Sequence, residues 1–223
     1  MSTQGGPKIV RDSSLKLHLD AGDKNSFVSV GGGWRDISGN GNHGTFTGSP
    51  TYSAAYGGSL SYDGTNMFVT VPNPLGQTAT AQVWTVVSWI NITHNSVVLP
   101  QYLVAGMNQG NLIEAWQGDN SIMYLNSGVN DYYTYGGQFT AQGWVMATFR
   151  FNNATGDRQI LRNLTNISTS GPNNTSTPAG LTSTFTIGNY VLGNMANVLI
   201  YNKYLSDAEV SQNFNAMRGR FGV

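Results

Sequence analysis

Ala196-Asn197-Val198-Leu199-Ile200-Tyr201-Asn202-Lys203-Tyr204-Leu205-Ser206-Asp207-Ala208-Glu209-Val210 decides the reading of this chain. Its first six residues make an apolar run of strand length. Ser206-x-x-Glu209 is a capping box, in which each side chain accepts an N–H that a helix start leaves without a partner. Val210, Phe214 and Met217 then recur at helical spacing, and Leu205 is placed to staple against Val210. Gly219 is placed to end the helix. The stretch predicts a buried strand turning into one amphipathic helix.

Upstream, the periods are those of strands. Leu15, Leu17 and Leu19 alternate with Lys16, His18 and Asp20, which predicts a strand with its polar side outward. Further strands are expected at Ser59–Tyr62, Met67–Val71, Trp84–Asn91, Tyr102–Ala105, Leu112–Trp116 and Ile122–Leu125. Others follow at Trp144–Phe151, Gln159–Arg162 and Phe185–Gly188. Gly- and Asn-rich turns separate them, the densest being Asp36-Ile37-Ser38-Gly39-Asn40-Gly41-Asn42-His43-Gly44. Many short strands with such punctuation predict an all-β sandwich or barrel. Residues 1–14 read as an extended arm, and 15–223 as a single domain.

Composition narrows the function. The 223 residues carry 11 basic and 11 acidic side chains, with only 10% charged and no Cys. No basic field holds a nucleic-acid backbone and no polybasic patch holds a membrane, so neither partner is expected. Met1–Pro7 is polar, with no apolar core of a signal peptide.

Several segments carry a family resemblance. Leu15–Gly22, Trp34–Gly44, Ser59-Leu60-Ser61-Tyr62-Asp63-Gly64, Trp84–Ile90 and the closing Ala196–Val210 occur in the order of the laminin-G-like, or concanavalin A-like lectin/glucanase, family, which the chain resembles from residue 8 to its end. The resemblance implies a concanavalin A-like two-sheet antiparallel β-sandwich (jelly roll) with one short C-terminal helix. Gly5–Asp12 and Asn213–Gly222 resemble virion proteins of tailed bacteriophages. That likeness implies display on a capsid or fibre at the virion surface, assembly in the host cytoplasm, and contacts with a capsid or fibre protein and with further copies of the chain as a homo-oligomer.

Catalysis is not expected. The glucanase branch uses carboxylates about 5–9 Å apart, on a Glu-x-Asp-x-Glu strand, whereas this chain has two Glu, Glu114 and Glu209. Glu209 belongs to the capping box and Glu114 has no acidic neighbour two residues away. His18, His43 and His94 read as strand, turn and loop residues without a nucleophile elbow. Gly39-x-Gly41-x-x-Gly44 matches a dinucleotide motif but runs into strand-like Thr45-Phe46-Thr47, not a helix.

Two binding chemistries have candidates. Calcium wants six to eight oxygens, and some relatives bind it at the sandwich edge; Asp20, Asp36, Asn40 and Asp63 stand near strand ends or turns. The same side chains are also suited to capping turns. Sugar recognition wants aromatic faces and planar polar groups. Asn130, Asp131, Tyr132, Tyr133 and Tyr135 offer both, with Trp116 and Tyr124 extending the surface. The alternative is a hairpin whose tyrosines pack across strands or against a subunit. Trp84, Trp89 and Trp144 are expected in the core. Two functions follow: a virion decoration protein displaying a lectin-like domain that aids adhesion to glycans, or a stand-alone carbohydrate-binding module that holds a polysaccharide, with or without calcium.

Overall fold

A strand with no polar face has to be covered on both sides. Val83–Thr93 is such a strand: Val86 and Ile90 enter one buried cluster, Val87 and Trp89 another. The computed structural model describes residues 7–77, 82–93, 101–107, 113–116, 122–126, 131–134, 139, 142–168 and 181–223. In chain order the strands are β1 (Leu15–Asp20), β2 (Thr45–Thr47), β3 (Thr51–Ser53), β4 (Ser59–Asp63) and β5 (Phe68–Pro72). Next come β6 (Val83–Thr93), β7 (Gln101–Met107), β8 (Ile113–Trp116), β9 (Ile122–Asn126) and β10 (Asp131–Thr134). The last are β11 (Val145–Asn152), β12 (Asp157–Arg162), β13 (Thr165–Asn166), β14 (Leu181–Asn189) and β15 (Leu192–Tyr201), followed by helix α1 (Asp207–Phe221).

They form two antiparallel sheets. The larger runs β13-β12-β11-β6-β15-β4-β3, and β1 also pairs with β15; the smaller runs β10-β9-β8-β7-β14-β5-β2. β15 holds the larger sheet together. One edge pairs with β6 along its length, while the other meets β4 through Leu192–Met195 and β1 through Asn197–Tyr201. The main core lies between the sheets, with Trp84, Phe149, Phe151, Phe185 and Ile200 among its members. A second core lies on the outer face of the larger sheet, beneath α1. Trp89 sits there with its ring stacked on Phe214 at 5.7 Å and on Phe221 at 4.3 Å. All three tryptophans expected inside are buried, Trp144 joining Trp89 in this second cluster.

The capping box forms as expected: Ser206 accepts from the Glu209 N–H, and the Glu209 carboxylate accepts from the Ser206 N–H. The end of the helix differs. It passes through Gly219 to Phe221, and Gly222, at φ 73°, is the left-handed cap. Continuing one turn further lets Phe221 reach Trp89.

β1 also departs from its simple alternation. Leu17 and Leu19 enter the main core, but Leu15 enters the outer one. Its register against β15 shifts between Leu15 and Leu17, and one irregular residue is enough to exchange faces. His18, expected on a solvent face, is only 8% exposed. The Asp36–Gly44 turn lies along this strand and closes it: the His18 N–H donates to Asp36, and the Ile37 N–H to the His18 carbonyl. Edge strands covered this way do not recruit other strands.

The arm expected over 1–14 is corrected in its described part. Val10 is buried in the outer core with Ile9 packed against it. Its N–H donates to Asn213 Oδ1 at 2.8 Å, and its carbonyl accepts from the Tyr201 hydroxyl at 3.1 Å. Residues 8–14 are thus part of the sandwich, since Val10 can bury its side chain only if both backbone groups find partners.

Candidate functional site

The tyrosine-rich stretch adds β10 to the end of the smaller sheet. Asp131 stands opposite Asn126, Tyr132 opposite Leu125 and Tyr133 opposite Tyr124. β9 in turn sets Tyr124 opposite Glu114 and Ile122 opposite Trp116. Across β7 and β14, Glu114 pairs with Tyr102 and Tyr102 with Asn189, whereas Ile113 pairs with Val104 and Val104 with Ile187. Two kinds of row result. One runs Asn189–Tyr102–Glu114–Tyr124–Tyr133, and its described members Asn189 and Tyr102 are half-buried. The other begins at Ile187 and Val104, which belong to the main core.

The β7–β8 register shifts between Tyr102 and Val104, so these two fall in different rows although they are two residues apart. Along β8 the alternation has period two, and Glu114 takes the face opposite to Ile113, the partner of core Val104. Trp116, Tyr124, Asp131 and Tyr133 therefore occupy register positions continuous with the half-buried row, and Tyr132 a position continuous with the core row. β9 and β10 pair antiparallel, and their register gathers four of the seven sugar candidates on one set of positions. Asn130 and Tyr135 lie outside the described residues.

The calcium candidates are engaged elsewhere. Asp36 accepts the His18, Ser38 and Asn42 N–H groups and the Ser38 hydroxyl. Asn40 donates to the Leu15 carbonyl at 2.8 Å. Asp63 accepts the Thr65 N–H and hydroxyl, which holds its carboxyl below the usual range. Asp20 accepts the Gly22 N–H and pairs with Arg220, whose Nη1 lies 3.0 and 2.8 Å from its two oxygens. Among the described residues, no three His, Cys, Asp or Glu side chains converge as a metal cluster. The structure does not bring these four together as a cage.

Arg220 had no sequence signal beyond a basic residue in the last helical turn. It also donates to the carbonyls of Tyr56, Gly57 and Gly58 and so locks the helix end to the β3–β4 connection. Glu209, the second acid considered for catalysis, is spent on the cap and on Lys203 at 2.5 Å. His43 accepts the Asp36 N–H through Nδ1, and His94 lies outside the described residues. Sequence reasoning also missed an aromatic series at the open side of the sandwich, Trp34–Phe46–Phe27–Tyr52, whose rings follow one another at 6.3, 6.0 and 5.4 Å. The only hint was an apolar run, Phe27-Val28-Ser29-Val30, in an otherwise polar loop.

His18 yields a pH prediction. Burial holds the imidazolium below its ordinary pKa of 6.5, with Arg11 adding to the effect and the nearby aspartates opposing it. The unfolded chain therefore binds the proton more readily, and stability is lost as pH falls below about 6.5 towards the lower folded value. The lowered carboxyls of Asp12, Asp63 and Glu209 lose their contribution only further down, below their ordinary 3.8 to 4.5. Urea midpoints at pH 7.5 and 5.5 are expected to differ more for the parent than for His18→Gln. Equal differences would refute the assignment.

No protein-family model matches the sequence, and none of the curated proteins is similar to it. Solved structures do match. The binding domain of botulinum neurotoxin DC, in complex with rat synaptotagmin II, superposes with a TM-score of 0.69 at 16% identity, over 93% of this chain and 52% of that one. Botulinum neurotoxin type C, whose cell entry depends on two ganglioside molecules, gives 0.66 at 14% over 92% and 51%. The binding domain of Paraclostridial Mosquitocidal Protein 1 gives 0.68 at 16% over 91% and 52%. The chain spans about half the length of these structures. At such identities the likeness establishes the fold alone, a β-sandwich, in agreement with the two antiparallel sheets and C-terminal helix described above.

Proposed function

We propose that this chain is a non-catalytic, lectin-like module that binds glycans through the outer row of the β8–β10 hairpin region, and that it is displayed on a phage particle. The observation that carries the glycan reading is the register that sets Trp116, Tyr124, Asp131 and Tyr133 at positions off the core row. Aromatic rings at such positions offer rigid, amphipathic contact, and neighbouring carboxylate and amide groups suit hydroxyls. The ganglioside dependence of a toxin of this fold supports the class of ligand. It belongs to a chain of twice the length, so it supplies no position.

A glycan array run with and without EDTA tests this. Tyr124→Ala and Tyr133→Ala are each expected to weaken binding at least tenfold, about 1.4 kcal/mol, while Tyr132→Ala acts mainly on stability. Binding is expected to survive EDTA, because the calcium candidates are committed to protein partners. A blank array from folded protein overturns the glycan reading. Particle display rests on the phage-like residues 5–12 and 213–222; a fixed copy number in purified particles supports it, and absence from them removes it.

A further inference from the structure

We infer a second saccharide site, remote in sequence from the hairpin, in the cavity between β3 and the loop that follows β1. It rests on the reading of the sandwich as a glycan-binding module, but on none of the hairpin residues. The cavity is about 480 Å³ and is lined by Lys24, Phe27, Val28, Ser29, Val30 and Tyr52. That size falls among small-ligand sites.

Its lining joins apolar and polar side chains. Tyr52 is half exposed, at 47%, and its ring stacks on buried Phe27 at 5.4 Å with 20° between planes. A tyrosine fixed this way keeps an aromatic surface in water at little further entropic cost on binding. Val28, 75% exposed, extends the apolar side. Lys24 and Ser29, the polar members of the lining, are exposed, and Lys24 has no ion pair among the described residues. Lys24 also lines the adjoining polar cavity with Asp20, Asp23, Asn25 and Arg220. Asp20 and Arg220 neutralise each other, and Asp23 offsets Lys24, so the combined surface is close to neutral.

A neutral ligand with one apolar face and a polar perimeter fits that division, which describes a pyranose. Its C–H face would lie on Tyr52 and its hydroxyls would reach Lys24 and Ser29. The supporting loop is preorganised, as a binding site requires. The Ser26 and Phe27 N–H groups donate to the Asp23 carbonyl at 2.8 Å each, and the fully buried Ser26 hydroxyl donates to the Arg35 carbonyl at 2.6 Å. Phe27 is also bridged to Trp34, and Trp34 to Gly44. A protein partner fits less well, since the exposed apolar surface here amounts to two side chains flanking a concavity.

The test is amide chemical-shift mapping of the full chain with cellohexaose, mannohexaose and xylohexaose, alongside Tyr52→Ala and Lys24→Ala. The expected result is saturable shifts at residues 24–30 and 51–53 with at least one probe, with affinity reduced at least tenfold in Tyr52→Ala. Shifts confined to 113–134 and unchanged in Tyr52→Ala would overturn this site while leaving the hairpin reading standing. Shifts confined to 24–30 and 51–53 would do the reverse. No shift at 24–30 or 51–53 with any probe refutes it, as does concentration-dependent self-association that Tyr52→Ala abolishes.

Discussion

Trp89→Ala is expected to destabilise the protein by about 3–5 kcal/mol, the range for deleting a buried aromatic. Trp89 is fully buried on the outer face of β6, between Phe214 and Phe221. These stacks are what fasten α1 to the sheet. Removing the indole leaves a cavity that neither strand nor helix can close, because β6 is fixed by β11 on one side and β15 on the other. Among the described residues Nε1 is buried without a partner, so no indole hydrogen bond is lost and the cost is one of packing. Trp89→Phe keeps a ring in the stack and should cost much less. For a chain of this size the alanine variant corresponds to a fall of roughly 6–20 °C in Tm. Amide exchange across 210–221 should accelerate with it. A loss under about 1 kcal/mol, with helix protection unchanged, would mean that the helix is held by other contacts.

That helix shows how far the sequence could be read. Its start was legible because a capping box is local: Ser206 and Glu209 satisfy each other within one turn. The strands β6 and β15 were legible for a similar reason, since the largely apolar runs Trp84–Ile90 and Ala196–Tyr201 have few alternatives in a chain rich in turns. Faces were harder. Leu15 and Leu17 look equivalent in a period-two pattern, and only the register shift against β15, about 185 residues away, parts them. His18 reads as polar-out until the Asp36 turn folds over it. Both errors came from non-local pairing, which composition and period do not encode.

The candidate sites divide along the same line. Composition drew attention to the tyrosines of 130–135, but it could not say which side of a hairpin each takes; that needed four strands in register. Asp36, Asn40 and Asp63 were chosen for their oxygens; Asp36 and Asp63 accept the N–H two residues on, as turn-capping side chains do, whereas Asn40 donates through Nδ2 to the distant Leu15 carbonyl. The Tyr52 cavity was invisible, because Phe27 and Tyr52 are 25 residues apart and meet only once the loop after β1 packs beside β3, an end strand of the larger sheet.

Deleting residues 1–12 is expected to destabilise the sandwich by about 2–4 kcal/mol, from lost apolar burial and buried hydrogen bonds. An arm would have been dispensable for folding. Instead, Val10, Asn213 and Tyr201 form a closed ring of hydrogen bonds inside the outer core. The Val10 N–H donates to Asn213 Oδ1, Asn213 Nδ2 donates to the Tyr201 hydroxyl at 3.2 Å, and that hydroxyl donates back to the Val10 carbonyl. The sequence held one clue: Asn213, fully buried, interrupts an otherwise apolar helix stripe of Val210, Phe214 and Met217. Gln212 adds a bond to the Lys8 carbonyl, and Asp12 caps the turn at Ser14. Three variants separate the contributions. Removing residues 1–6 keeps every bond named here and should leave the urea midpoint unchanged. Asn213→Leu keeps the volume but strands the Val10 N–H, at about 1–3 kcal/mol. The 1–12 deletion should lower Tm by roughly 4–16 °C. If it melts with the parent, residues 8–12 do not belong to the folded core. The consequence reaches function: loss of particle incorporation after removing 1–12 would report unfolding as readily as lost docking, so a docking role must be sought with the shorter truncation.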